Sequence, residues 1–308
     1  MLNSEMDKIL AQMAGQVLEA PAKESGKQLT LLIDLIFTPF QVAKIYKNAW
    51  LKDYKKRIYQ KFNKIPNDQL KEPPLNIIGP ALEASKYYIA TEEMREMFAN
   101  LIVHACDQQM EPAVHPSFIN ILTQMSSIEA SILSSFRPKQ ELKMDIYISS
   151  TENEQEKPYL DADKIPGTGI YSFPEQIQPI VNYYLTKENE QLLVQGNVIK
   201  SDITDNEEEI AAAITNLIRL GLLETSFQIQ VVDKGKYDYF STNKLYQTLY
   251  KDVNPGNQVF MRSIRGNMIW GGQYNEIKVE KGIVRLTQFG YNFIKVCVLE
   301  KEVITEHK

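Results

Sequence analysis

Apolar side chains recur every three or four positions along the first half of the chain. Leu31, Leu35, Val42, Tyr46, Trp50, Tyr54, Ile58 and Phe62 lie on one stripe, the signature of an amphipathic helix. Pro39 should kink or restart it. The other face carries Lys44, Lys47, Lys52, Lys55, Lys56, Arg57, Lys61 and Lys64, with Asp53 the only acid. A basic amphipathic face of this kind suits a membrane surface or nucleic acid, and equally a solvated exterior.

Residues 65–80 are broken by Pro66, Pro73, Pro74, Gly79 and Pro80. Pro80 is placed as the first residue of a helix through Tyr88, where its missing N–H costs nothing. Thr91 is an expected N-cap, followed by Glu92 and Glu93 at the positive end of the next helix. Met94, Met97, Phe98, Leu101, Ile102 and Ala105 mark that helix's apolar stripe. Pro116 and Ser117 open another. Ser126 and Glu129 form a capping box for a helix through Phe136. Helices joined this closely predict a bundle.

Beyond residue 136 the pattern changes. A short strand is expected at Met144–Ile148, then a polar, Pro- and Gly-containing linker. Helices are expected over Pro174–Tyr184 and Asn189–Val194. A third is expected after an Asp205/Glu208 capping box, ending at Gly221 in a left-handed C-cap. The FQIQVV segment alternates like a strand, and Lys244–Tyr250 reads as a helix. IKVEKGIVRLT reads as a hairpin turning at Lys281 and Gly282, with Thr287 capping a last helix. LIRLGLLET and IVRLTQFGYNFI resemble the helix–strand–wing–strand order of winged-helix domains, with about 50 residues inserted in the wing. The expected fold is therefore mainly α with a smaller α+β part. Residues 1–28 form a helix and connector, 29–140 a helical domain, 141–172 a linker or loop, and 173–308 a winged-helix-like domain.

Composition narrows the picture. The chain has 308 residues, 44% apolar and 24% charged, enough to bury real cores. Residues 1–150 hold 17 basic and 17 acidic side chains, against 17 and 22 in residues 151–308, so the net charge of −5 sits in the second half. Asp202, Asp205, Glu207, Glu208 and Glu209 crowd the start of the helix that would enter a DNA groove. Carboxylates there repel phosphate, which favours protein contact over DNA reading. Arg262, Arg265 and Lys278 keep a basic surface in play. Cys106 and Cys297 make no disulfide framework. No signal peptide is evident at MLNSEMDKIL, and the Leu29–Phe40 stretch is shorter than the roughly 20 residues a spanning helix needs. The expected location is cytoplasmic.

Candidate chemistry is sparse. His104, Cys106 and Asp107 lack the spacing of metal-ligand pairs on a helix. Gly167–Gly169 lacks the strand–loop–helix setting of a phosphate loop. No metal or cofactor is therefore expected. Asp107, His115 and Ser117 could make a relay if the fold brings them together.

Three segments carry a resemblance: EPPLNIIGPALEASKYY, EEMREMFANLIVHACD and VHPSFINILTQMSSIEASIL. Asn76, Gly79, Pro80 and Glu83, then Arg95, Phe98, Ala99, Asn100 and Leu101, then His115, Pro116, Ser117, Phe118, Glu129 and Ala130 resemble the abortive-infection alpha family of bacterial proteins. The resemblance is strongest over residues 30–135. It implies a role in phage defence and brings no established catalytic residues. Asn76, Arg95, Asn100, Asp107, His115 and Ser117 are the candidate polar cluster, with Arg95 expected to pair with Glu83 or Asp107. The same residues read equally as turn and helix-start supports. The reading is a non-enzymatic defence component with a protein partner or self-association, and with nucleic acid or a peripheral membrane surface as further partners. The alternatives are a hydrolase or nuclease-like effector using Asp107 and His115, and a winged-helix transcriptional regulator.

Overall fold

A computed structural model describes Leu29, Leu31, Ile33, residues 48–136, 146–148, 177–231, 233–256, Gln258 and 261–299. The chain divides into two compact units. Within the described residues, the first comprises those up to Ala130 together with Asn292 onward, and the second is Ser131–Tyr291.

The first unit is helical. Helix α1 (Asn48–Phe62) buries Tyr54, Ile58 and Phe62 of the predicted stripe, while at its start Leu51 is buried and the predicted Trp50 only half-buried. Helix α2 (Leu75–Ser85) begins after Pro74 and contains Pro80 in its interior, so Pro80 is not its first residue. Pro80 offers no N–H to the Asn76 carbonyl four residues back, and Asn76 is exposed, where water can take that role. Helix α3 (Glu92–Ala105) is buried along almost its whole length after the first turn and packs against α1 and α2. Leu70 and Asp107 form a β-bridge beyond its end. Two short helices follow, α4 (Ser117–Leu122) and α5 (Ser127–Ser135), the latter running past Ala130 where the division falls. The Ser126/Glu129 box is formed: the Ser126 N–H donates to the Glu129 carboxylate at 2.9 Å, and the Ile128 N–H to Ser126 Oγ at 3.2 Å. Of the apolar stretch at 29–40, Leu29, Leu31 and Ile33 are helical. Leu29 and Ile33 are buried, whereas Leu31, expected on the inward stripe, is exposed, and the remaining residues of the stretch lie outside the described residues.

The second unit is built on an antiparallel sheet. Strands β2 (Ile177–Lys187) and β3 (Glu190–Ile199) form a hairpin turning at Glu188, whose φ is 53°. The two helices expected over this stretch are thus strands. Irregular register between Val181 and Tyr184 interrupts the period of two, so the buried positions Ile177, Ile180, Val181, Tyr183 and Leu185 imitate helical spacing. Helix α6 (Glu207–Arg219) is capped by Asn206, which accepts the Glu208 and Glu209 N–H groups, and not by the expected Asp205. Gly221 ends it in the left-handed region at φ 74°, as its spacing predicts. Strand β4 (Leu223–Ser226) then pairs with β8 (Glu276–Leu286), giving the order β3-β2-β8-β4.

Strand β8 is continuous, and no turn occurs at Lys281–Gly282. A Cβ at Gly282 would lie 2.6 Å from the Ser226 carbonyl oxygen, so glycine serves close strand approach here, not a bend. The inserted segment between β4 and β8 contains β5 (Ile229–Val231), which pairs with the short β1 (Ile146–Ile148). A 3-10 helix (Lys234–Ser241), α7 (Lys244–Val253) and the hairpin β6 (Met261–Ile264) with β7 (Asn267–Trp270) follow. Two buried tyrosines hold the 3-10 helix to the sheet. Tyr237 donates to the Gly282 carbonyl at 2.8 Å, and Tyr183 donates to the Phe240 carbonyl at 2.7 Å. Burial raises the Tyr183 hydroxyl's pKa. After β8, Thr287 accepts the Gly290 N–H at 2.8 Å and caps α8 (Gln288–Phe293). The α6–β4–β8–α8 run keeps the expected order, but a strand hairpin precedes α6.

Candidate functional site

The polar residues singled out in the helical segment divide among separate tasks. A π-helical turn, Ile294–Val298, follows α8 and packs on α3 within the first unit. Widening a helix to π geometry leaves its closing carbonyls without the usual i+4 donors. Asn100 and His104, one turn apart on α3, meet two of them. Asn100 Nδ2 donates to the Cys297 carbonyl at 2.9 Å, and His104 Nδ1 lies 2.7 Å from the Val296 carbonyl. That carbonyl can only accept, so Nδ1 carries the proton. Phe293 completes the contact, stacking edge-on against Phe118 with centroids 5.2 Å apart. His104 is therefore a buried clamp, a role its place on the helix gave no hint of.

Arg95 is buried and donates to the Ile89 carbonyl at 2.8 Å. Its ion partner is Asp53, 3.2 Å away, not Glu83 or Asp107; Glu83 pairs with Lys86. Asp107 is fully buried, and its Oδ1 accepts the Gln109 N–H at 3.0 Å. His115 is exposed. Ser117 donates its N–H to His115 Nδ1 at 3.2 Å, and its hydroxyl lies 2.6 Å from the same nitrogen. That nitrogen is thus an acceptor, fixing the start of α4. Asn76, at the start of α2, is exposed. His115 and Ser117, two of the six candidates, are in direct contact.

The basic face is partly neutralised, by Asp53 on α1 itself and by Glu92 and Glu96 on α3. Arg57 contacts Asp53 at 2.8 Å, Glu96 at 2.8 Å and Glu92 at 2.9 Å, while Lys61 contacts Glu96 at 2.5 Å. Burial works against the Arg57 charge, but Glu96, Asp53 and Glu92 outweigh it and hold its pKa above the ordinary value. Burial likewise opposes the Glu96 charge, and Lys61 and Arg57 overcome it, lowering its pKa. Lys52, Lys56 and Lys64 are exposed, and Lys55 is half-buried. Lys44 and Lys47 lie outside the described residues.

In the second unit, Gln178, Pro179, Lys200, Gly235, Lys236, Tyr239 and Phe240 line a cavity of about 350 Å³. The Lys200 ammonium sits 5.6 Å from the Tyr239 ring centroid. Burial, with Glu207, Asp205 and Asp202 nearby, raises the Tyr239 pKa. Among the described residues no cluster of His, Cys, Asp and Glu could hold a metal ion. Among them, too, no helix is long and apolar enough to cross a membrane.

A family model described as abortive infection alpha matches residues 47–297. No curated protein and no solved structure matches the chain.

Proposed function

Because the chain belongs to the abortive infection alpha family, we propose that it is a non-enzymatic binding component of antiphage defence, acting in the bacterial cytoplasm. The observation that carries this reading is where the polar side chains of the helical unit point. Asn100 and Arg95 donate to backbone carbonyls, His104 faces another, and Asp107 accepts from a backbone N–H. Side chains committed to holding backbone are not poised over a substrate. In the second unit, the α6–β4–β8–α8 run serves as a winged-helix-like protein-contact surface. Its leading helix presents Glu207, Glu208 and Glu209 in the first turn, where they repel a phosphate backbone.

The hydrolytic alternative has one observation in its favour, the Ser117–His115 contact at 2.6 Å. A catalytic relay also needs a carboxylate that orients the imidazole. Asp107, the candidate for it, is buried while His115 is exposed. Phage plating on cells expressing His115→Ala or Asp107→Asn tests both readings. Asp107→Asn keeps the acceptor oxygen that Gln109 needs. Protection equal to the parent is expected for both variants. Loss of protection in both, with unchanged circular dichroism, overturns the binding reading in favour of the hydrolytic one.

A further inference from the structure

The β6–β7 hairpin presents an apolar face outward. Met261 pairs with Trp270 and Ser263 with Met268 across the ribbon. Because side chains alternate, these four share one face. Ile264 and Ile269 occupy the opposite face and are buried. Met261, Met268 and Trp270 are 51%, 54% and 55% exposed. Arg265 and Gly266, both at positive φ, make the tight turn, so the ribbon is short and stiff. It is also tied to the end of α7: Arg262 binds Asp252 at 2.7 Å, and the Gly272 N–H donates to the Asp252 carbonyl at 2.8 Å. Next to that anchor, Tyr250 is 54% exposed and Lys251 is exposed.

Two features identify what covers this face. The first is size. Strands of four residues, at about 3.4 Å per residue and about 4.8 Å apart, give a face of roughly 14 by 10 Å. A stable protein interface buries roughly 800 Å² per partner, far more than this prong supplies. A lipid surface sets no such threshold, and an apolar face need enter only about 5–10 Å. The second is charge. From Lys244 to Asn275 the chain carries Lys244, Lys251, Arg262 and Arg265 against Asp252 alone, inside a half that is acidic in sum. With Arg262 paired to Asp252, Lys244, Lys251 and Arg265 remain as exposed cations around an aromatic and methionine face. Tryptophan and tyrosine favour the headgroup level, and each nearby cation attracts anionic lipid.

We propose that the β6–β7 hairpin docks the protein peripherally on an anionic phospholipid surface. Met261, Met268 and Trp270 enter the headgroup–acyl boundary, and Arg265 and Lys251 meet lipid phosphates. This rests on the binding-component reading and names the partner of one surface.

The test is flotation of the full chain with vesicles of phosphatidylcholine alone or mixed with phosphatidylglycerol. Binding is expected only to the mixed vesicles and should weaken as salt rises. Arg265→Glu should weaken partitioning roughly 25-fold, taking two charge steps at about fivefold each. Met268→Ser with Trp270→Ser should abolish it, with an unchanged thermal melt. In a Trp50→Phe background, Trp270 emission should shift to the blue on vesicles and be quenched by brominated lipid. No binding to mixed vesicles overturns the proposal. So does binding indifferent to the hairpin substitutions, or a change in oligomeric mass as their only effect, which would make a second copy the occupant. None of these results touches the His115→Ala and Asp107→Asn plating outcome, so the two readings fail separately.

Discussion

Helix α3 and the β6–β7 hairpin use polar and apolar groups in opposite ways. On α3 the polar side chains turn inward: Asn100 and His104 hold the carbonyls of a distant turn, and Arg95 holds the Ile89 carbonyl. On the hairpin the apolar side chains turn outward, with Trp270 and Met268 more than half exposed. Burying a polar group without a partner is costly, so the α3 arrangement must be repaid by hydrogen bonds made inside the unit. Exposing a large apolar face forgoes stability, and that is explained by something outside the molecule. The first region is organised for integrity and the second for contact.

The sharpest way to break this contrast is at Phe293, which is fully buried against Phe118. Phe293→Ala should cost about 3–5 kcal/mol in urea unfolding, whereas Trp270→Ser should stay within about 0.5 kcal/mol. Comparable losses for the two would show that the hairpin face is part of the fold. Next is Asn100→Leu, which strands the Cys297 carbonyl and should cost about 1–3 kcal/mol in the same measurement. A neutral result would mean that Asn100 is not a structural clamp and that its amide is spare for a ligand.

The smallest expected effect is on pH. Glu96 has a lowered folded-state pKa because Lys61 and Arg57 overcome its burial. A depressed carboxylate stabilises fully above its unfolded pKa of about 4.3, and this contribution fades as pH falls through the lower folded value. Thermal melts of the parent should therefore lose stability on acidification through that range more steeply than those of Glu96→Gln. Parallel curves would mean that the α1–α3 ion network contributes nothing measurable, as many exposed pairs do.

Regular helical spacing made α1 and α3 legible, and local chemistry made the Ser126/Glu129 box, Gly221 and Thr287 legible, because each acts within a few residues. The β2–β3 hairpin was not legible, because the irregular register near Val181–Tyr184 erased its alternation. The roles of Asn100 and His104 were hidden for a different reason. Their partners lie 197 and 192 positions away, and no spacing rule spans that distance. Arg95 reads from the sequence as an ion-pairing residue, but its acid, Asp53, reaches it from another helix, which local spacing does not show. The hairpin face went unread because Met261, Met268 and Trp270 become one surface only once the two strands pair.

The π-helical turn at Ile294–Val298 has a consequence for the order in which the protein is made. Domains fold as units during synthesis, N-terminal parts first. Here α1–α4 leave the ribosome long before Phe293, Val296 and Cys297, which belong to the same core. Until then Asn100 and His104 face no carbonyl, and the apolar surface awaiting Phe293 stays uncovered. A ribosome that stops within the second unit would release a chain whose helical unit is still open. Completion of the helical unit thus reports that translation has passed residue 298.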